Sequence, residues 1–565
     1  MIGQNLTDAF ADVALESGVV ATMRDGTRLV ADIYRPAGPN AGPGPWPVLL
    51  MRQPYGRDIA STVVYAHPNW WARQGFIVVI QDVRGRGDSE GSFYTFRNEV
   101  DDGFDTVAWA AALPGSNGRV GMYGFSYQGS TQLLAALAQP PALKALAPHM
   151  TAFDLYSGWF YRDGILQLST TVAWASQMLR EDARRAGATS VAALDANWLN
   201  PGRLSSVMPL RDAAPLANDD VPSYGIDWIR HATKDDYWAE FDLLERVAEL
   251  GLPMFHISGW YDFYLRGSVD GFRAMAAAHP NQVLLAGPWQ HIPWGEHVGG
   301  THLGPGAKPE TDTALAAWFH HWLDHDTPTA PAPLPPVRYY VLGADTWRDA
   351  PAWPPPAAMP STWFLTSSSR ANSRYGDGQL SPAAPGGPED LYTYDPEVPV
   401  MAPGGNRGGN VAFGPHDLSA QQEGNNLLVY TSAPLADPLS VAGDPTCTLH
   451  VRSSAPHTHF VVRLSRVRPS GRAEFLTLGA KAVSGADAPE GLEIELPLDP
   501  IAVDFAAGDA LRLDVASSAY PLLIRSPNTA TDPAAIAAPG EFKRALQVVY
   551  HDETHPSTLT LPVIG

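Results

Sequence analysis

Ser126 stands in the run Val120-Gly-Met-Tyr-Gly-Phe-Ser-Tyr-Gln-Gly-Ser130, where a short apolar β segment passes through small residues into a helix. This is the setting of a nucleophile elbow: a sharp turn lifts a serine hydroxyl off a sheet, and the following helix N-terminus favours negative charge developing nearby. The run departs from a simple G-x-S-x-G spacing, because residue 128 is glutamine and the glycine falls at 129. Taken alone, it fits a tight strand–helix turn with an exposed serine equally well. A serine of ordinary acidity needs a base, and the base needs a group to orient it. On a parallel sheet the chain order for such a set is serine, acid, histidine. Asp262 closes Ile257-Ser-Gly-Trp-Tyr-Asp262 after the apolar run Pro253–Ile257, and His291 closes Ala286-Gly-Pro-Trp-Gln-His291 after Val283–Ala286. Singly, each could be a turn-capping carboxylate or a loop histidine. Together, in this order, they predict a catalytic triad.

Such a set needs a parallel sheet to hold it, and the chain supplies the pattern for one. Residues 1–150 alternate strand and helix signals. Val19–Met23 and Arg28–Tyr34 flank an Asp25-Gly26 turn, Trp46–Met51 and Phe76–Gln81 are apolar runs, and Tyr65–Gln74 between them reads as a helix. Helices over Glu99–Leu113 and Gln128–Ala138 frame the strand Val120–Tyr123, and Leu143–Ala147 is a further strand. Strands apolar on both faces and separated by helices define an α/β class. Residues 151–250 change to helical segments, Val172–Ala186, Val191–Leu199 and Asp236–Leu250, with Gly187 placed as a C-cap; they read as an inserted helical cap. The α/β pattern resumes over 251–350, with a helix at Thr313–Leu323, a Pro-rich connector at Thr327–Pro336 and a returning strand at Val337–Leu342. Residues 351–565 carry short strands such as Thr446–Ser453, His459–Leu464, Gly491–Leu496 and Ala510–Ala516. They predict an all-β sandwich or jelly roll, with Ala402–Gly414 as a glycine-rich loop.

The motifs are then recognisable. Gly124-Phe-Ser-Tyr-Gln-Gly129 resembles the G-x-S-Y-x-G elbow of the cocaine esterase / Xaa-Pro dipeptidyl-peptidase family, which also holds α-amino acid ester hydrolases and glutaryl-cephalosporin acylases. Gly259-Trp-Tyr-Asp262 and Gly287-Pro-Trp-Gln-His291 resemble its acid and histidine motifs. Arg52-Gln-Pro-Tyr55 resembles the segment whose tyrosine serves the oxyanion hole. Gln81-Asp-Val-Arg-Gly-Arg-Gly-Asp-Ser-Glu-Gly91 and Tyr520-Pro-Leu-Leu-Ile-Arg-Ser-Pro-Asn528-Thr529 match two further segments. The resemblance runs from about residue 19 to 560. It implies an α/β-hydrolase core, a helical cap and a C-terminal jelly roll. It further implies that the Tyr127 amide and the Tyr55 hydroxyl hold an oxyanion, that the reaction passes through an acyl-enzyme without metal or cofactor, and that the chain can self-associate, a homodimer being one such state.

Trp159, Phe160, Trp174 and Tyr264 are candidates for an aromatic pocket around an acyl or leaving group, although aromatic residues in a cap are commonly core. Amino acid ester hydrolases of the family carry acidic residues just after the catalytic aspartate. Here Phe263, Tyr264 and Leu265 follow Asp262. A substrate ammonium would be left unpaired there, which favours neutral or aromatic esters, with amides open and Asp154 or Asp163 as other possible amine partners. An Xaa-Pro exopeptidase, and a ligand-binding jelly roll on an inactive core, are the competing readings.

Other constellations read as structural. His320-His321 with Asp324 and His325 sits at a helix end, His457 and His459 share a strand face without a third ligand, and Arg84-Gly-Arg86-Gly-Asp88 lacks a phosphate-loop ending. The single cysteine, Cys447, excludes an internal disulfide and any Cys-based metal site. With 38 basic and 59 acidic residues the net charge of −21 argues against nucleic acid and anionic membranes as partners. The N-terminal residues have no basic segment followed by an apolar core, so the expected compartment is the cytoplasm.

Overall fold

Asp25 and Gly26 form the predicted turn, the Asp25 carboxylate accepting from the Thr27 amide, and it joins β1 (Val13–Thr22) to β2 (Arg28–Pro36) as an antiparallel hairpin. The computed structural model describes residues 12–38, 41, 44–58, 62–217, 219–324, 334–383, 386–404 and 413–565. The sheet continues with β3 (Trp46–Gln53), β4 (Ile77–Asp82), β5 (Ser116–Phe125), β6 (Leu143–His149), β7 (Met254–Tyr261), β8 (Gln282–Gln290), β9 (Val337–Val341) and β10 (Thr346–Ala350). Its spatial order is β1-β2-β4-β3-β5-β6-β7-β8-β9-β10. Pairing is parallel from β4 through β9 and antiparallel at both edges.

Every residue of β4 and β7 is buried, as expected for central strands covered on both faces. The covering helices are α1 (Pro68–Arg73), α2 (Glu99–Ala111), α3 (Tyr127–Leu137), and, beyond the cap, α7 (Leu265–Ala278) and α8 (Thr311–Leu323). The first is shorter than the sequence suggests. Pro68 occupies its first turn and the His67 ring accepts from the Asn69 amide, so the helix starts there and Tyr65 packs separately beside His149.

Between β6 and β7 lie α4 (Leu168–Ala186), α5 (Val191–Leu199) and α6 (Tyr224–Arg230). Gly187 closes α4 in the left-handed conformation, at φ 63°. The helix expected over Asp236–Leu250 is broken. Asp236–Ala239 and Val247–Leu250 are α-helical and Leu244–Arg246 is a 3-10 turn, with the break at Asp242, whose carboxylate accepts from the Leu244 amide and is tied to Lys234. The connector Thr327–Pro336 lies largely outside the described residues, as do positions 405–412 of the glycine-rich loop.

From Ala358 onward the described strands form one branched, mainly antiparallel sheet of 13 strands, the all-β domain expected from the sequence. It is tied to the end of the first sheet by backbone bonds between Leu342 and Ala502 and between Asp504 and Leu342, and to the inserted segment by the bidentate pair Arg162–Asp499. The Arg–Asp pairing expected of the Arg84–Asp88 loop is present: Arg84 binds Asp102 and Asp25, Arg86 binds Asp182, and Asp88 binds Arg57. His320 is engaged by Asp324 and the Gln74 carbonyl, whereas His325 lies outside the described residues. Among the described residues no helix is long and apolar enough to cross a membrane.

Three buried histidines give the fold an acid sensitivity. Burial lowers His149 well below the usual range and brings His256 and His459 down to about 4. The unfolded chain titrates them near 6.5, so below that pH it binds protons that the folded chain refuses. Their contribution is complete above about pH 6.5 and is lost as pH falls toward 4. Thermal unfolding should show a Tm that drops between pH 6.5 and 5, before most carboxylates titrate; a flat Tm across that window would contradict this.

Candidate active site

The turn between β5 and α3 is built by crowding. Ser126 adopts φ 62° and ψ −129°, a conformation that side-chain-bearing residues avoid. Gly124 has φ 146°, and a Cβ there would lie 2.4 Å from the Gln128 Cβ. A Cβ on Gly129 would lie 2.8 Å from that of Thr151. These close approaches account for glycine at 124 and 129, and for the tolerance of Gln128 between them. Gln128 turns its amide oxygen back to accept from the Phe125 amide at 3.3 Å. The Ser126 amide donates to the His149 carbonyl of β6, which fixes the turn to the sheet.

Asp262 and His291 follow the C-terminal ends of β7 and β8, neighbouring parallel strands. His291 Nδ1 lies 2.9 Å from Asp262 Oδ1. The carboxylate is fully buried and the imidazole 13% exposed. Asp262 Oδ2 has no hydrogen-bond partner among the described residues. The ring is caged by Phe263 at 4.5 Å, Tyr264 at 5.1 Å and Phe125 at 5.4 Å between centroids. Ser126 and His291 line the same cavity, of about 540 Å³. No hydrogen bond within 3.5 Å joins them, a contact that hydrolase sites commonly tighten only when substrate is engaged.

Tyr55 reaches the serine from β3. Its amide donates to Gln53, and its hydroxyl oxygen accepts from Trp174 Nε1 at 3.2 Å and interacts with the Ser126 hydroxyl. Burial pushes the Tyr55 phenol up to about 12, so it is protonated at neutral pH. The Tyr127 side chain is not among the groups that line the cavity. Its hydroxyl donates to Glu99 at 2.9 Å and accepts from the Phe96 amide, while Glu99 is paired with the buried Arg52 at 2.7 Å. Its amide is the first of α3 and has no carbonyl one turn back within the helix.

Of the four aromatic candidates, Trp174 and Tyr264 line the cavity. Trp159 and Phe160 do not, and differ from the sequence expectation. Trp159 lies behind Tyr264, with ring centroids 4.0 Å apart, and Phe160 packs on Trp228 at 4.6 Å, both in the core of the cap. Asp154 and Asp163, the other possible amine partners, are taken by Lys234 and Arg266. The sequence reading missed the face of α4 formed by Thr170, Ala173, Gln177 and Arg180, although its spacing with Trp174 is helical. It also missed Phe413, brought in from the C-terminal domain by no local signal. No Asp or Glu is among the described residues lining this cavity.

Residues 25–293 match the model of the X-Pro dipeptidyl-peptidase (S15) family, and residues 330–560 match that of the X-Pro dipeptidyl-peptidase C-terminal non-catalytic domain. The chain belongs to this family and is an enzyme of the serine hydrolase type. The cocaine esterase of Rhodococcus sp. (strain MB1 Bresler) is 33% identical over 98% of this chain and 99% of its own length. An aminopeptidase from a marine sediment archaeon, Thaumarchaeota archaeon, shares the fold with a TM-score of 0.80 at 23% identity, covering 100% of this chain and 98% of its own. An α-amino acid ester hydrolase does so with a TM-score of 0.78 at 24% identity and the same coverage.

The crowding at the elbow is open to test. Gly124→Ala should destabilise the fold by about 1–3 kcal/mol in urea unfolding and lower activity, through a strained backbone and a clash with Gln128. Wild-type stability and activity in this variant would contradict the account of the turn.

Proposed function

We propose that the protein hydrolyses neutral or aromatic carboxylic esters through an acyl-enzyme on Ser126. The reading is carried by one observation: the elbow serine and the Asp262–His291 pair meet in a cavity of about 540 Å³ whose described walls are rich in aromatic side chains and carry no carboxylate. His291 takes the Ser126 proton as the hydroxyl attacks the acyl carbon. Asp262 fixes the tautomer with the proton on Nδ1, leaving Nε2 as the base, and stabilises the imidazolium. The tetrahedral oxyanion is held by the Tyr127 amide and the Tyr55 hydroxyl. Because Trp174 already donates to the Tyr55 oxygen, the phenol proton is left to be donated. His291 then protonates the leaving alcohol, and water repeats the cycle to release the acid.

The lack of wall carboxylates also bears on the competing substrates. An N-terminal dipeptide or α-amino ester brings an ammonium, and an unpaired ammonium in an apolar cavity is costly. The two cap carboxylates that could have met it are neutralised elsewhere.

With 4-nitrophenyl esters, benzoyl and butyryl groups should turn over faster than an α-aminoacyl group of similar size. Ser126→Ala should abolish this turnover. Tyr55→Phe should lower kcat by about 10²–10³, the usual loss for one oxyanion donor. A preference for the α-aminoacyl ester, or for Xaa-Pro amides, would overturn the substrate assignment; turnover retained in Ser126→Ala would overturn the mechanism.

A further inference from the structure

A second cavity, of about 260 Å³, adjoins the first and shares Tyr55, Gln177 and Arg180 with it. Its wall includes Arg86, which is fully buried. The Arg86 guanidinium uses NH2 to bind Asp182 at 2.8 Å and the Tyr224 hydroxyl at 3.1 Å, and one face stacks on Phe93 at 3.8 Å. Its Nε and NH1 have no hydrogen-bond partner among the described residues. Buried guanidinium donors left unpaired are costly and mark a place where an acceptor is missing.

Arg180 is weakly matched as well. Its nearest carboxylate, Asp195, lies 3.7 Å away, and the same oxygen is held by Arg184 at 2.7 Å. Glu181 also borders the cavity, and Asp182 balances the charge of Arg86, so what this space offers an anion is the unpaired Arg86 donors and the weakly matched Arg180. Gly56 and Gly87 line the remainder, where backbone can approach a small ligand. The charge on Arg86 already acts on the Tyr55 hydroxyl, which places this cavity next to the reacting centre.

We propose that the second cavity is an anion subsite of the active centre, in which Arg86 and Arg180 hold a carboxylate borne by the substrate. The proposal rests on the ester-hydrolase reading of Ser126 and narrows its substrate: the groups beside the reacting carbonyl stay neutral, and a carboxylate is carried at the far end of the molecule. A planar carboxylate suits the paired donors of a guanidinium.

Two pairs of esters test it. On the acyl side, 4-nitrophenyl 4-carboxybenzoate is compared with 4-nitrophenyl 4-carbamoylbenzoate; on the leaving-group side, 4-carboxyphenyl benzoate is compared with 4-carbamoylphenyl benzoate. In one pair the kcat/KM ratio of anion to neutral should exceed about tenfold and fall toward one in Arg180→Gln, the size of one charge-assisted hydrogen bond. Arg86→Gln should act likewise, but Arg86 is buried in its network, so the part-exposed Arg180 carries the test. Inorganic phosphate should compete with the preferred anionic ester, and less well in Arg180→Gln. Phosphate that alters neutral-ester turnover through Arg180, with no anion preference in either pair, would overturn the substrate-borne carboxylate in favour of a free anion. Ratios near one in both pairs, with every ester turned over and no phosphate effect, would overturn the subsite and leave ester hydrolysis standing. No turnover of any of the four would strike the reading of Ser126 itself, and the subsite with it.

Discussion

The site depends on holding a serine where the backbone resists it. Ser126 has φ 62°, a conformation that costs of order 1–3 kcal/mol and persists only when its surroundings over-determine it. Those surroundings are visible. Gly124 and Gly129 let the turn close against Gln128 and Thr151, and the Ser126 amide is anchored to the His149 carbonyl. The first helix after the serine is clamped by the buried chain Arg52–Glu99–Tyr127. The same clamp leaves the Tyr127 hydroxyl fully occupied, so only its amide faces the reaction. One constraint therefore sets both the proposed nucleophile and half of the proposed oxyanion site.

Tyr55 and the Asp262–His291 pair are placed by different parts of the fold. Adjacent parallel strands bring Asp262 and His291 together, and Phe125, Phe263 and Tyr264 restrict the imidazole. The helical insertion supplies Trp174, which hydrogen-bonds Tyr55, and a loop of the C-terminal domain supplies Phe413. The cavity is thus a joint product of three segments. Its lining is rich in aromatic side chains, and Arg180 stands where it borders the neighbouring space.

Much of this was legible in the chain because local rules decide it. The elbow, the hairpin at Asp25-Gly26, the doubly apolar strands and the Gly187 cap follow from backbone sterics and burial period. Ser126, Asp262 and His291 stand out in the chain because each follows a strand that periodicity reveals. The rest depends on contacts distant in sequence. Trp159 and Phe160 have the composition of a pocket, yet their neighbours Tyr264 and Trp228 place them in the core of the cap. The helix expected over Asp236–Leu250 fails because Asp242 is recruited by Lys234 and by the Leu244 amide. Arg86 sits in a loop whose motif reads as structural, and only its packing leaves Nε and NH1 unpaired.

The central claim is covalent chemistry at Ser126. Mixing the enzyme with excess 4-nitrophenyl benzoate and quenching before steady state should give a burst approaching one nitrophenolate per chain. Mass spectrometry should place one benzoyl group on the peptide containing Ser126. Turnover with no burst and no adduct at this serine, or a benzoyl group on a different residue, would contradict the account.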